Sequence, residues 1–183
     1  MAKGYVITNM VAAGNLGISL DLYRLSLTMP SIEYEPEQFP GAILKFDKPK
    51  ATLLVFKNGK VVCVGCRSEE EIESTLKKAL KILLPKAKII MKRMKIPEYE
   101  VTNIVAAANL NIELDLFTIA YKERDVEYEP EQFPGAILKF KKPKVSLLLF
   151  KNGKVIIAGA KKESEIRTSL NLAREMLKRY AKK

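Results

Sequence analysis

Residues 33–46 read EYEPEQFPGAILKF, and residues 127–140 read the same fourteen letters. The offset is 94 residues, and it holds without a gap from Tyr5 against Tyr99 to Leu83 against Leu177. Working outward, TN-x-VAA begins at Thr8 and Thr102, and NL-x-I-x-LDL at Asn15 and Asn109. KPK recurs at Lys48 and Lys142, and FKNGKV at Phe56 and Phe150. So long a period is not that of a solenoid unit. It predicts two copies of one small α+β unit, over residues 1–92 and 93–183, related by a pseudo-twofold axis. A partner that is itself roughly twofold symmetric, such as duplex DNA, suits that arrangement.

One unit can be read from its punctuation. Residues 5–13 are apolar and β-branched enough for a strand, and a short helix follows near 20–27 with Asp21 at its start. A brief strand at 31–35 meets Pro36 and Pro40, which bar regular structure. Residues 42–46 and 51–56 read as strands joined by DKPK. Asn58-Gly59 marks a tight hairpin turn, with a returning strand at 61–65. Ser68 and Glu71 fit a capping box for a helix over 68–84, with Ile72, Leu76, Ala79, Leu80 and Leu83 on one face. Pro85 stops it. The second copy repeats this, its long helix near 163–180, with Lys162 where the capping Ser stood. Residues 86–97 either link the copies or extend a strand. The expected fold class is α+β. Each copy is a curved five-stranded antiparallel sheet with two helices, and the copies join as a pseudo-twofold ten-stranded saddle.

Two helices cover only one face of such a sheet. Yet residues 51–56 are apolar on both faces, with Leu53 and Val55 on one and Leu54 and Phe56 on the other. Residues 145–150 behave alike. A sheet covered on one side alternates apolar with polar, so the second face needs a cover of its own: a protein layer, a second copy or a ligand. The polar residues around it are mainly lysine. Lys45, Lys48, Lys50, Lys57 and Lys60 recur as Lys139, Lys142, Lys144, Lys151 and Lys154. An apolar surface edged by ammonium groups matches a widened minor groove, whose rims are phosphate.

Composition agrees without deciding. The 183 residues carry 32 Lys and Arg against 21 Asp and Glu, a net charge of +11, which fits a polyanionic partner or simple solubility. No apolar run is long enough to span a bilayer and no signal peptide is evident. The expectation is an intracellular protein with no membrane partner. The chain has no His, which removes the usual general base near neutral pH and the commonest metal ligand. No catalytic residue, cofactor or metal site is expected. Cys63 and Cys66 form a lone C-x-x-C without the second pair a zinc site requires. Residues three apart on a strand are expected on opposite faces, a poor arrangement for joint ligation, so two small buried thiols are expected.

The YEP-x-x-FPG segment, the LL-x-F-x-x-GK hairpin, the Asn-x-Val strand and the duplication together resemble the core of TATA-box-binding proteins, over nearly the whole chain. With no extension before the core, the chain is similar to the archaeal form. The resemblance implies a general transcription initiation factor, not an enzyme. Such a factor binds and bends promoter DNA through the minor groove and recruits transcription factor B and the RNA polymerase pre-initiation complex. It implies DNA-kinking wedges at Phe39 and Phe56, and at Phe133 and Phe150. Asn9 and Asn103 would bond to A·T acceptors. Val11, Leu54 and Val62, with Val105, Leu148 and Ile156, would pack on base edges and sugars. Lys45, Asn58 and Lys60, with Lys139, Asn152 and Lys154, would meet phosphates or sugars. Glu129 and Glu131 would contact transcription factor B. Where the family has Thr before the Gly that ends the fifth strand, this chain has Val64 and Ala158, so both hydroxyls are missing from its DNA-facing set. That departure keeps open a divergent paralogue with weak sequence preference, acting as a DNA- or protein-binding module. A nucleic-acid enzyme using this fold would need a catalytic domain or carboxylate cluster, and neither is evident.

Overall fold

The computed structural model describes residues 4–89 and 97–180. By compactness the chain divides into residues 9–102, the first-repeat unit, and residues up to Thr8 together with those from Asn103 onward, the second-repeat unit. In the first, β1 (Tyr5–Asn15) leads to β2 (Ile18–Ser19) and helix α1 (Leu22–Thr28). Then come β3 (Ile32–Glu33), β4 (Ala42–Asp47), β5 (Lys50–Val55), β6 (Lys60–Cys66), helix α2 (Glu69–Leu83) and β7 (Lys88–Ile89). The second repeat supplies β8 (Glu98–Asn109), α3 (Leu116–Lys122), β9 (Val126–Glu127), β10 (Ala136–Lys141), β11 (Lys144–Leu149), β12 (Lys154–Ala160) and α4 (Glu163–Leu177).

The strands run in the order β3-β4-β5-β6-β1-β8-β12-β11-β10-β9 in one ten-stranded sheet, and β2 pairs with β7 apart from it. The ten-stranded sheet, the two repeats and, among the described residues, four α-helices agree with the expected class, and the β2–β7 ribbon is an addition to it. The unit boundary cuts β1 and β8, so each unit contains the start of the other repeat's first strand. Local contacts tie these starts in. The Thr8 hydroxyl donates to the Val105 carbonyl and the Thr102 hydroxyl to the Val11 carbonyl, both at 3.2 Å. The Tyr5 hydroxyl donates to Glu163 at 2.8 Å, and Tyr99 to Glu69 at 3.4 Å.

The caps follow the sequence closely. Asp21 and Asp115 accept from Arg24 and Thr118 backbone N–H groups at the starts of α1 and α3. Ser68 accepts from the Glu71 N–H, and the Glu71 carboxylate returns to the Arg67 N–H. At α4, Lys162 makes no side-chain cap. Glu165 answers by accepting from the Lys161 and Lys162 N–H groups. The helix ends at Leu177, and Lys178–Tyr180 continue as a 3-10 turn. Of the segment read as linker or strand extension, residues 90–96 lie outside the described residues.

The apolar stripes of α2 and α4 cover one sheet face. Leu53, Ile72, Leu76 and Leu83 are fully buried in the first-repeat unit, and Leu138, Leu147, Leu149 and Ile166 in the second. Each such side chain contributes about 1.5–3 kcal/mol by leaving water.

The cysteines are buried as expected, but on the same face rather than on opposite ones. Both Cys63 and Cys66 are buried beneath α2, with their sulfurs 3.5 Å apart. Gly65, at φ +99°, is an extra residue in β6, where the pairing with β1 steps from Val64 opposite Val11 to Cys66 opposite Met10. This bulge resets the alternation and returns Cys66 to the covered face. Cys66 also lies 3.9 Å from the Thr75 hydroxyl, which donates to the Glu71 carbonyl. The hydrogen bond with Cys66, reinforced by burial, holds the Cys63 thiol well above the usual cysteine range, so it stays protonated.

Candidate nucleic-acid interface

Strand register assembles the uncovered face. In the first-repeat unit Leu54 lies opposite Ile43 and Val62, Thr52 opposite Lys45 and Val64, and Val64 opposite Val11. In the second, Leu148 lies opposite Ile137 and Ile156, Ser146 opposite Lys139 and Ala158, and Ile156 opposite Ala107. Cross-strand partners share a face. Val11, Leu54, Val62, Val64, Val105, Leu148, Ile156 and Ala158 are all only partly buried, while the alternating residues Leu53, Val55, Leu147 and Leu149 are fully or almost fully enclosed. The period-two reading of residues 51–56 and 145–150 is therefore met. Register adds Ile43, Thr52, Ile137 and Ser146, signalled in the sequence only by the same alternation.

Phe39 and Phe56 meet edge to face, ring centroids 5.8 Å apart, and Phe133 and Phe150 repeat this at 5.9 Å. Phe39 is presented by a turn in which its N–H donates to the Glu35 carbonyl, and Phe133 likewise uses Glu129. Glycine is required behind each pair. A Cβ at Gly41 would stand 2.7 Å from the Phe39 ring, and one at Gly135 the same distance from Phe133. An apolar hollow of about 810 Å³ adjoins Phe150 and Ile156.

The central asparagines are locked in one orientation. Asn9 Oδ1 accepts from the Gly65 N–H at 2.8 Å, and Asn103 Oδ1 from the Gly159 N–H at 2.9 Å. A backbone N–H only donates, so it fixes which end of each amide is oxygen, leaving the NH₂ group as donor. The bulges make this possible, because the extra residue's N–H leaves the ladder and needs another acceptor. The minor-groove edge of an A·T pair carries acceptors only, so a fixed donor is complementary to it.

Asn58 and Asn152 each accept from the backbone N–H two residues on, at 3.2 Å, which stabilises the hairpin turns. Lys60 and Lys154 are exposed at the strand starts. Lys45 and Lys139 are not free cations. They pair with Glu33 at 2.8 Å and Glu127 at 2.7 Å, contacts the sequence did not announce. Both pairs are exposed and therefore weak, worth about 0–1 kcal/mol, so a phosphate can displace the carboxylate. Glu129 and Glu131 are exposed on the turn before Phe133.

The comparisons place this arrangement. The family profile described as transcription factor TFIID, or TATA-binding protein, matches residues 4–85 and 98–180. The TATA-box-binding protein of Pyrobaculum calidifontis is 39% identical across 95% of this chain and 86% of its own length. That of Sulfolobus acidocaldarius is 42% identical across 87% and 80%, and that of Methanocaldococcus jannaschii 40% across 94% and 92%. The solved structure titled Methanococcus jannaschii TBP superposes with a TM-score of 0.86 at 39% identity, covering 96% of this chain and 98% of the other. The chain belongs to the TATA-box-binding protein family.

Proposed function

We propose that this protein is a general transcription initiation factor that binds TATA-box DNA through the minor groove and bends it. Family membership supports the general role. The observation that carries the DNA reading is the pair of locked amides, Asn9 on Gly65 and Asn103 on Gly159, each set in an uncovered apolar face. A donor there is met by acceptors on A·T pairs, whereas the exocyclic amine of guanine is itself a donor and intrudes on an apolar surface. Proteins that bind the minor groove, this family among them, insert apolar wedges between base steps. The Phe39–Phe56 and Phe133–Phe150 pairs serve that role in this reading. Lys60 and Lys154, with Lys45 and Lys139 once released from their glutamates, neutralise phosphates. Glu129 and Glu131 offer carboxylates to transcription factor B, which brings in the RNA polymerase.

A second reading has one observation in its favour. Val64 and Ala158 bring no hydroxyl to the face, which fits a divergent member with weak sequence preference. One measurement separates the two: affinity for a TATA duplex against a G·C-rich duplex of equal length at one salt concentration. A TATA preference of about tenfold or more is expected from two fixed donors at about 1 kcal/mol each, with nothing added by the absent hydroxyls. A ratio near one defeats TATA recognition and leaves the divergent module.

A further inference from the structure

A hollow of about 520 Å³ opens in the first-repeat unit between α1, the β2–β7 ribbon and the hairpin turn. Leu20 and Leu22 lie buried at its base, Tyr23 and Tyr34 line it, and Lys57, Lys86 and Lys88 surround it. Among the described residues none of the three ammonium groups has a carboxylate partner, and Lys86 reaches only the Thr28 hydroxyl at 3.3 Å. Asp21 is the one carboxylate in the lining, and its Oδ1 is held by the Arg24 N–H at the start of α1. Three like charges set together repel one another, and an anion among them relieves that repulsion.

The second-repeat unit carries different residues at the equivalent place. Phe117 and Tyr128 stand where the first has Tyr23 and Tyr34, and their rings meet edge to face at 5.0 Å. Glu113 replaces Ser19, adding a negative charge. Tyr180 replaces Lys86, and its hydroxyl donates to Glu123 at 2.6 Å.

We infer that the first-repeat hollow docks an acidic peptide segment of a protein partner. An apolar or aromatic side chain of that segment rests among Leu20, Tyr23 and Tyr34, and its flanking carboxylates meet Lys57, Lys86 and Lys88. The shape selects peptide over duplex, because side chains enter a half-apolar hollow whereas a phosphate backbone runs across a surface. Apart from Lys57 beside Phe56 and Tyr34 in the loop that carries Phe39, the elements that form it are not those that carry Phe39, Phe56 or Asn9. The site also supplies a polarity that the identical turns at 33–46 and 127–140 lack: a partner held here distinguishes one repeat from the other.

The test uses the full chain and a short fluorescein-labelled peptide alternating Glu with Leu and Phe, followed by polarisation beside the same peptide with Gln for Glu. The acidic peptide is expected to bind roughly tenfold tighter than its Gln counterpart, and less so as salt rises. The double variant Lys86→Glu with Lys88→Glu should weaken it roughly tenfold while TATA-duplex affinity stays unchanged, which also shows that the variant folds. The charge-matched control Lys122→Glu with Lys178→Glu should leave peptide binding intact. Equal binding of the two peptides overturns the proposal, as does equal loss in both double variants. A hollow variant that loses duplex affinity instead of peptide affinity assigns these lysines to flanking DNA, and the proposal fails.

Discussion

The two repeats agree at the polar and aromatic landmarks of the uncovered face and differ at one cluster of buried positions beneath the long helices. Both present a Phe pair at nearly the same spacing, an Asn locked on a bulge Gly, and a Lys held by a Glu. Beneath the helices the same positions hold Cys63, Cys66 and Thr75 in one unit and Ile157, Ala160 and Ser169 in the other, all buried. A core accepts such exchanges if total volume and patterning are kept, because one large side chain beside one small one fills the space of two medium ones. On the uncovered face Thr52, Val62 and Val64 exchange for Ser146, Ile156 and Ala158, but the Phe pairs, the locked Asn and the Lys–Glu pairs do not change. That Phe39, Phe56 and Asn9 are repeated unchanged is what their proposed role in DNA binding requires.

The largest effect is expected at the phenylalanines. Phe39→Ala with Phe56→Ala, and separately Phe133→Ala with Phe150→Ala, should each weaken a TATA duplex by roughly 2 kcal/mol or more, about thirtyfold. Each should also reduce the bend read by energy transfer between end labels. Equal losses sustain the equivalence of the repeats. An unchanged bend in both variants removes the wedge role altogether, and a loss in one alone breaks the symmetry of the faces.

The asparagines come next, and they separate the lock from the readout. Asn9→Asp keeps an oxygen for the Gly65 N–H, so the fold is expected to hold. It replaces the outward donor with an anionic acceptor facing the acceptors of the groove. Duplex affinity should fall about tenfold or more, and Asn103→Asp should match it. Thermal unfolding run beside the duplex titration decides the matter. If affinity falls only in proportion to lost stability, the amide is a bulge cap and no more.

How much of this the sequence disclosed follows from the range of the interactions involved. Alternation along residues 51–56, the Asn-Gly turn and the Ser68–Glu71 cap are local, and each was readable from a few neighbouring letters. The bulge at Gly65 was not, because it exists only through pairing with β1, where Val64 meets Val11 and Cys66 meets Met10. Everything that depends on the bulge was hidden with it: the joint burial of Cys63 and Cys66, and the bond that orients Asn9. The Glu33–Lys45 pair was hidden for a similar reason, since it needs the register of β3 on β4. The exchange of strand starts that sets Tyr5 on Glu163 and Tyr99 on Glu69 spans 158 and 30 residues, beyond any local pattern.

Those tyrosines give the smallest effect and the finest probe of the comparison. Burial, then the negative charges of Glu69 and Glu73, push the Tyr99 phenol up to about 12. Tyr5 is raised too, by burial and by its hydrogen bond to Glu163, with Arg167 working against the rise. In the unfolded chain a tyrosine ionises near 10. Each fold thus favours the neutral phenol, and that contribution is complete below about pH 10 and lost as pH rises toward 12. Solvent screening at the half-buried Tyr99 keeps its change under about 1 kcal/mol. Denaturant unfolding from about pH 9 to pH 11 should show stability declining, with the decline reduced by Tyr99→Phe and less so by Tyr5→Phe. A decline that both variants leave untouched would mean that these phenols do not govern the alkaline response of either unit. A larger relief from Tyr5→Phe would reverse their order, marking the Glu163 contact as the stronger barrier to ionisation.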